Sequence, residues 1–474
     1  MLPKSYFEDS LAKGVAFGAL QHIINNRFTL LKLPVGYGKT IISMLVAKTF
    51  AGLQGGHLQL MIIAPKAKRL DRSFNEAVSS LEYYYQIKLT ILPINGQEVG
   101  TFAGLNAMKK KPKMWQAFCQ SLYRQPTLLV LDETHMELRN ATQNASKTFV
   151  RLFKDIEKHH SSLKILGLTA TPFDTNIIDT VGYLVLNGEY SSRTNFYRRE
   201  VKGYQQAYQK GLYQRDIENM IVDRQYQIHT EMFYDYPAII QRVKKFIYAP
   251  EAPCTFHIPG NKMMLVKVDL SADGVKKLHM VQRKEREGAY SDYGTKKSDY
   301  TEVLTTDANM LSMVLRIIRA PQHHQPLIFY QLNITRNALI KALTDAHQPF
   351  LEINGHEQSF FKQNDHQSPI LVQYHSGAAA FESKDSNTSI YLDLPTSAID
   401  YQQSLGRNTR RGQNFAQVTN YILAPCVEGQ KVQWFQNNYN RIVNKTLSNE
   451  AFEKIFKTAW GTFDENSQQL RTIN

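Results

Sequence analysis

At 474 residues the chain is longer than one ordinary core, so two packed units are expected. Hydrophobic residues make up 43% and aromatics 11%, which excludes a disordered chain, and three scattered cysteines (Cys119, Cys254, Cys426) exclude a disulfide framework and a zinc finger. A formal charge of +14 points to a polyanionic partner, with nucleic acid ahead of a membrane surface.

The opening "MLPKSYFEDSLAKGVAFGAL" carries acidic residues and no sustained apolar run, as expected of a cytoplasmic protein without a leader or membrane span. Short apolar runs then recur: 28–34 "FTLLKLP", 58–65 "LQLMIIAP", 127–133 "TLLVLDE" and 163–172 "LKILGLTATP". Each predicts a buried parallel strand. Helical patterns such as "TIISMLVAKTFAGL" and "RSFNEAVSSLEYYYQ" fall between them, which predicts a doubly wound α/β layout. Residues 190–325 turn tyrosine-, lysine-, arginine- and glutamine-rich, with one strand at "KMMLVKVDLS". They predict helices and long loops, either as a solvated bridge between lobes or as a surface facing nucleic acid. Strand signals return at 325–332, 349–355, 369–377 and 388–395, so a second α/β lobe is expected. The expected division is 1–240 for the first lobe and 241–474 for the second, the latter carrying a helical segment at 270–325. The histidine pairs at 159–160 and 323–324 lack further ligands at metal-binding spacing.

"LPVGYGKT" at 33–40 has the parts of a phosphate loop. Gly36 and Gly38 let backbone N–H groups approach phosphate oxygens, Lys39 can reach the β- and γ-phosphates, and Thr40 can hold magnesium. Leu33 stands where the strict pattern has glycine. In "LLVLDETH" an apolar strand ends in Asp132, placed for the magnesium shell, and Glu133, placed to deprotonate the attacking water. "LTATP" puts Thr169 and Thr171 at the end of another strand, within reach of a hydrogen bond to the acidic motif. Far downstream, "QQSLGRNTRRGQ" gathers Gln403, Gly406, Arg407, Arg410, Arg411 and Gln413. Read as a helix, it places Arg407 and Arg410 one turn apart, both guanidiniums reaching the ATP held by the first lobe.

With these elements in this order, the sequence resembles helicase superfamily two of the DExH kind, and within it the Swi/Snf-type DNA translocases. "LPVGYGKT" is similar to motif I, "IIAPKAKRL" to Ia, "DETH" to II, "LTATP" to III and "QSLGRNTRRGQ" to VI. The "RRGQ" ending, "DETHMELRN" and "MMLVKVDLSADGVKKL" are the subgroup marks. The resemblance implies two tandem RecA-like doubly wound parallel-sheet lobes of the α/β class with a helical bridge between them. It further implies a DNA-stimulated ATPase using ATP and Mg2+, with Glu133, Gln403, Arg407 and Arg410 catalytic. Tyr37 joins the phosphate-loop residues on ATP, and Gln21 stands for the adenine-reading glutamine. His135, Thr169, Thr171 and Gly377 couple the two activities, Gly377 being what "HSGAAAFES" keeps of motif V. Lys66, Arg69 and Arg411 contact nucleic acid. The implied setting is a compact phage or bacterial motor in replication, recombination or repair: a cytosolic monomer on DNA, with replication proteins as further partners and no membrane. An RNA helicase is the alternative within the enzymes, and a nucleotide-dependent DNA clamp or loader that does not move is the alternative outside the motors.

Overall fold

In the computed structural model the described residues are 1–65, 69, 72–136, 144–173, 177–223, 226–251, 259–354, 365–374, 383–409, 413–459, 461–464 and 469–472. The chain forms two compact units, one of residues 1–255 with 447–474, the other of residues 256–446.

The first unit is built on strands whose residues are apolar on both faces, as a sheet covered by helices on each side requires. These are β1 (Phe28–Lys32), β2 (Gln59–Ile63), β3 (Thr90–Ile91), β4 (Val99–Gly100), β5 (Thr127–Leu131), β6 (Leu163–Thr169) and β7 (Ile247–Pro250). From one edge the order is β3-β2-β5-β6-β1-β7, with β4 also on β2 and Lys457–Thr458 added beyond β7. Every pairing in this sheet is parallel. β7 places residues 241–255 with the first unit, so the division falls at 255/256 and not at the expected 240/241. The last residues of the chain also return to this unit. Phe452 and Phe456 pack on Phe173, and Glu453 meets Lys32, the last residue of β1, at 2.7 Å. Burial raises the Glu453 carboxyl above its usual range, against the opposing pull of Lys32.

The second unit repeats the plan with β8 (Gly260–Asp269), β9 (Leu327–Tyr330), β10 (Leu351–Ile353), β11 (Ile370–Gln373), β12 (Thr388–Tyr391), β13 (Gln417–Val427) and β14 (Gln430–Lys431). The order is β10-β11-β9-β12-β13-β14, with β8 also on β13; only β13–β14 is antiparallel. Alternation along β9 shows how the sheet is covered. Leu327 and Phe329 enter one apolar cluster, Ile328 and Tyr330 another, on opposite faces.

The helical segment expected as a bridge is part of the second unit. Ala272–Arg286, Tyr293–Thr305 and Ala308–Ile318 bury Leu278, Val281, Tyr300, Val303, Met310 and Val314 in the cluster on one face of its sheet. Several of their charges pair with one another: Lys277 with Asp273 (2.7 Å), Arg283 with Glu287 (2.8 Å), Lys284 with Asp299 (3.1 Å), and Lys296 with Glu285. No helix among the described residues is long and apolar enough to cross a membrane.

Candidate active site

The phosphate loop leaves β1 and turns into the helix Lys39–Leu53. Gly36 and Gly38 have φ of 87° and 72°, a left-handed backbone that glycine adopts without steric cost. At Gly38 an added Cβ would meet nothing within 4 Å, so conformation and not space demands glycine there. No side chain caps the helix that follows, which leaves its N-terminal N–H groups and positive dipole end for an anion. The Lys39 ammonium donates to the carbonyls of Leu33 and Pro34, each at 3.3 Å, within the same loop.

Sheet order decides what lies beside this loop. β1 pairs with β6 so that Lys32 faces Thr169, and the Leu33 N–H donates to the Thr169 carbonyl at 3.1 Å. β6 in turn pairs with β5, whose end carries the acidic motif. The Asp132 N–H donates to the Ile63 carbonyl (2.9 Å), and Asp132, Glu133, Thr134 and His135 are all buried. Glu133 holds φ of 47°, a strained conformation for a side chain of its kind. His135 Nδ1 is hydrogen-bonded to Thr169 Oγ1 at 3.0 Å and lies 3.5 Å from Glu133 Oε2. Thr169 Oγ1 also accepts the Thr171 N–H at 3.1 Å. A connected path therefore runs from Glu133 through His135 and Thr169 to the first residue of the phosphate loop, and the expected link between "LTATP" and the acidic motif is made by the histidine.

Two residues that seat this turn were not singled out from the sequence. Thr134 donates through Oγ1 to the carbonyls of Leu131 (2.8 Å) and Leu168 (3.3 Å). It fits only because position 167 in β6 is glycine, where a Cβ would come within 2.6 Å of that same oxygen. A lone glycine inside the apolar run "LKILGLT" was the available signal, since glycine in a strand interior marks a close approach.

The second-unit motif is described as far as Thr409 and again from Gln413. The helix Ala398–Leu405 ends at Gly406, so Arg407 lies past its last turn, while Arg410, expected one turn further on, lies outside the described residues. Arg407 is 2% exposed, with Nε donating to the Gln403 carbonyl at 3.1 Å. Gln413 is buried too, its amide donating to the carbonyls of Asn408 (2.7 Å), Ser386 (2.9 Å) and Ser383 (3.3 Å). It pins the loop after the helix onto the segment entering β12.

Gln21 lies solvent-exposed on the helix Ser10–Asn25. Tyr37 and Thr40 are half-buried in the loop, and Arg69 is half-buried beyond β2. Lys66, Gly377, Arg410 and Arg411 lie outside the described residues.

The donor set suits a magnesium nucleotide. A hydroxyl at Thr40 and a carboxylate at Asp132 are hard oxygen ligands of the kind Mg2+ takes alongside phosphate oxygens, and the open glycine loop with an uncapped helix end takes the phosphates. Magnesium bound there would neutralise charge on the transferring phosphate.

Residues 18–180 match the model of the DEAD/DEAH box helicase family. Loop, acid pair and family match together define an ATP hydrolase of the superfamily-two helicase class. Among solved structures, that of S. cerevisiae Dbp5 bound to RNA and ADP BeF3 is similar, at 11% identity and a TM-score of 0.45, covering 91% of this chain and 90% of that one. No curated protein matches the sequence.

Proposed function

We propose that the chain uses ATP hydrolysis to move along nucleic acid, and that DNA is its track. The observation that carries this is the buried path Glu133–His135–Thr169–Leu33, which links the group placed to activate water to the loop placed to hold phosphate. The path joins the two ends through one charge contact and two hydrogen bonds across three adjacent strands, the kind of link that coupling of hydrolysis to binding needs. In this reading Lys39, Gly36, Tyr37 and Gly38 hold the phosphates, Thr40 and Asp132 the magnesium, and Glu133 takes the proton of the attacking water. Gln21 reads the adenine. Gln403, Arg407 and Arg410 contribute to turnover from the second unit, while Lys66, Arg69 and Arg411 grip the phosphodiester backbone. The choice of DNA rests on the "RRGQ", "DETHMELRN" and "MMLVKVDLSADGVKKL" marks of the Swi/Snf-type translocases, as does a place in replication, recombination or repair. The second reading, an RNA helicase, is favoured by the DEAD/DEAH box match over residues 18–180.

ATPase rate measured against single- and double-stranded DNA and RNA of increasing length separates these. A translocase on DNA shows a rate that rises with DNA length and then saturates. Stimulation by RNA alone moves the assignment to the second reading. A rate indifferent to every nucleic acid at low salt removes the motor altogether.

A further inference from the structure

Between β6 and β7 the first unit carries residues 170–246, a connection that folds into helices of its own, among them Arg193–Glu200, Tyr204–Gln209 and Gln214–Ile221. Residues 193–221 hold three carboxylates, and each is used internally. Glu200 accepts from Tyr190 (2.8 Å) and Arg242 (2.8 Å). Glu218 accepts from Tyr197 (2.6 Å) and Gln214 (2.9 Å) and pairs with Arg193. Asp216 accepts the Tyr213 N–H at 3.0 Å. The cations divide differently. Arg193 is taken by Glu218 and Arg199 lies over the Tyr190 ring, but Arg198, Lys202, Lys210 and Arg215 are exposed and make no ion pair with any described residue. The outer surface of these helices is thus positive, its carboxylates being taken up by partners within the unit.

A stack of tyrosines runs out to the same surface. Tyr197 is fully buried and stacks on Tyr204 at 5.3 Å with planes 24° apart; Tyr204 stacks on Tyr208 at 6.2 Å and 20°. Tyr208 is 62% exposed and has no ring partner beyond Tyr204 among the described residues. Tyr213, 78% exposed, stands on the next turn of chain. An i, i+4 aromatic pair contributes a few tenths of a kcal/mol to a helix, which accounts for Tyr204 beneath Tyr208 but not for the ring left facing water. Stacked planes that end in solvent amid unpaired cations match the chemistry of one partner, an unpaired nucleotide, whose base adds the next plane while its phosphates take the positive charge.

We propose that this surface is a second nucleic-acid contact, outside the motor motifs, where a base of a single strand stacks on Tyr208 and Arg198, Lys202, Lys210 and Arg215 neutralise the neighbouring phosphates. It rests on the reading that the chain acts on nucleic acid, and assigns it a hold that does not depend on the nucleotide state of the phosphate loop. A strand engaged here stays tethered while the motor motifs release.

The test is equilibrium binding of labelled oligothymidine and oligouridine, without nucleotide, to the full chain and to its Tyr208→Ala, Tyr208→Phe and Lys210→Ala variants. Base–aromatic stacking is worth about 1–3 kcal/mol per base, so Tyr208→Ala is expected to weaken binding by roughly 5- to 150-fold, while Tyr208→Phe binds as the parent does. Lys210→Ala should reduce the salt slope by about 0.7, the share of one single-strand phosphate. A loss with only one of the two oligonucleotides supports the contact and names its sugar. Parental affinity and salt slope in Tyr208→Ala overturn the inference, as does an equal loss in Tyr208→Phe, which would trace the effect to the hydroxyl. Absence of binding by the parent also overturns it. The motor reading is judged separately, by ATPase stimulation, and each can fail without the other.

Discussion

Each unit places a carboxylate just past the carboxyl end of a central strand, and the two are put to different use. After β5, Glu133 sits on a strained backbone at φ 47° beside His135, joined through Thr169 to the phosphate loop. After β12, Asp393 accepts the Gln331 N–H and the Thr335 hydroxyl, both at 3.2 Å, and so fixes the start of the helix Asn333–Asp345 to the neighbouring strand. Gln413 is likewise turned inward, its amide on the carbonyls of Asn408, Ser386 and Ser383. Under the proposed function the same position in a parallel sheet is assigned to reaction chemistry where its turn is strained and linked to a binding loop, and it fixes a loop where its acceptors are filled by a helix start. Sheet position alone therefore does not assign a role. The partners of the carboxylate do.

The sharpest way to break this comparison is to remove the acidity of Glu133 while keeping its shape. Glu133→Gln should bind ATP within a few fold of the parent and lose turnover by about 10²–10⁴, the usual worth of a general base. Single-turnover hydrolysis together with equilibrium nucleotide binding checks it. A variant that hydrolyses at the parental rate would leave the two carboxylates indistinguishable.

The second-unit carboxylate should instead show itself in stability against pH. Burial raises the Asp393 carboxyl from 3.8 to about 7, and Oδ1 has no hydrogen-bond partner among the described residues. Below the unfolded value the group is neutral in both states and carries no penalty. As pH rises from about 4 towards 7 the unfolded chain ionises while the folded chain keeps its proton, so stability falls, and the fall levels off once the folded group ionises too. A shift of this size corresponds to a few kcal/mol at neutral pH. Asp393→Asn retains an acceptor for Gln331 and Thr335 and cannot titrate. Denaturant unfolding across pH 4 to 8 should therefore show the parent losing stability relative to this variant as pH rises, with ATP turnover per folded molecule unchanged. Parallel curves would mean that Asp393 is solvated like an ordinary surface carboxylate.

The apolar runs revealed most strands because a strand buried on both faces leaves an uninterrupted signal: β1, β2, β5, β6, β8, β9, β10, β11 and β12 lie within or close to the runs read from the sequence. β13 was hidden because its first half, "QVTNY", is largely polar; Asn420 is buried there through a bond to Asn261. The helix Gln433–Lys454 was hidden by its asparagines, which favour caps and turns over helix interiors. At the site, the positive-φ glycines and the acid pair were legible because they answer to local chemistry. What escaped was what depends on distant neighbours: Gly167 making room for Thr134, the helix ending before Arg407, and the chain's last residues returning to β1 and β7. The two charged stretches of 190–325 look alike in composition, yet they fold into different units, one on the β6–β7 connection and the other against the second sheet, a distinction only the packing makes.

The smallest effect should come from Thr171, at the end of the path in the first unit. Its backbone N–H is held by Thr169, but its own Oγ1 is buried with no hydrogen-bond partner among the described residues. A buried hydroxyl left unmatched costs about 1–3 kcal/mol, so a purely structural threonine here would be a poor choice, whereas one that finds its partner only when nucleotide or nucleic acid is bound is paid for by that state. Thr171→Val keeps the branched shape and the N–H while removing the hydroxyl. It should fold with unchanged or raised stability, by up to about 1 kcal/mol or roughly 2–4 °C in Tm for a unit of this size. Unstimulated hydrolysis should persist, and the increment produced by nucleic acid should shrink. A fall in Tm with stimulation untouched would show that the hydroxyl is bonded in the resting fold, which would place Thr171 with Asp393 and Gln413 among the residues that hold the structure together rather than with Glu133.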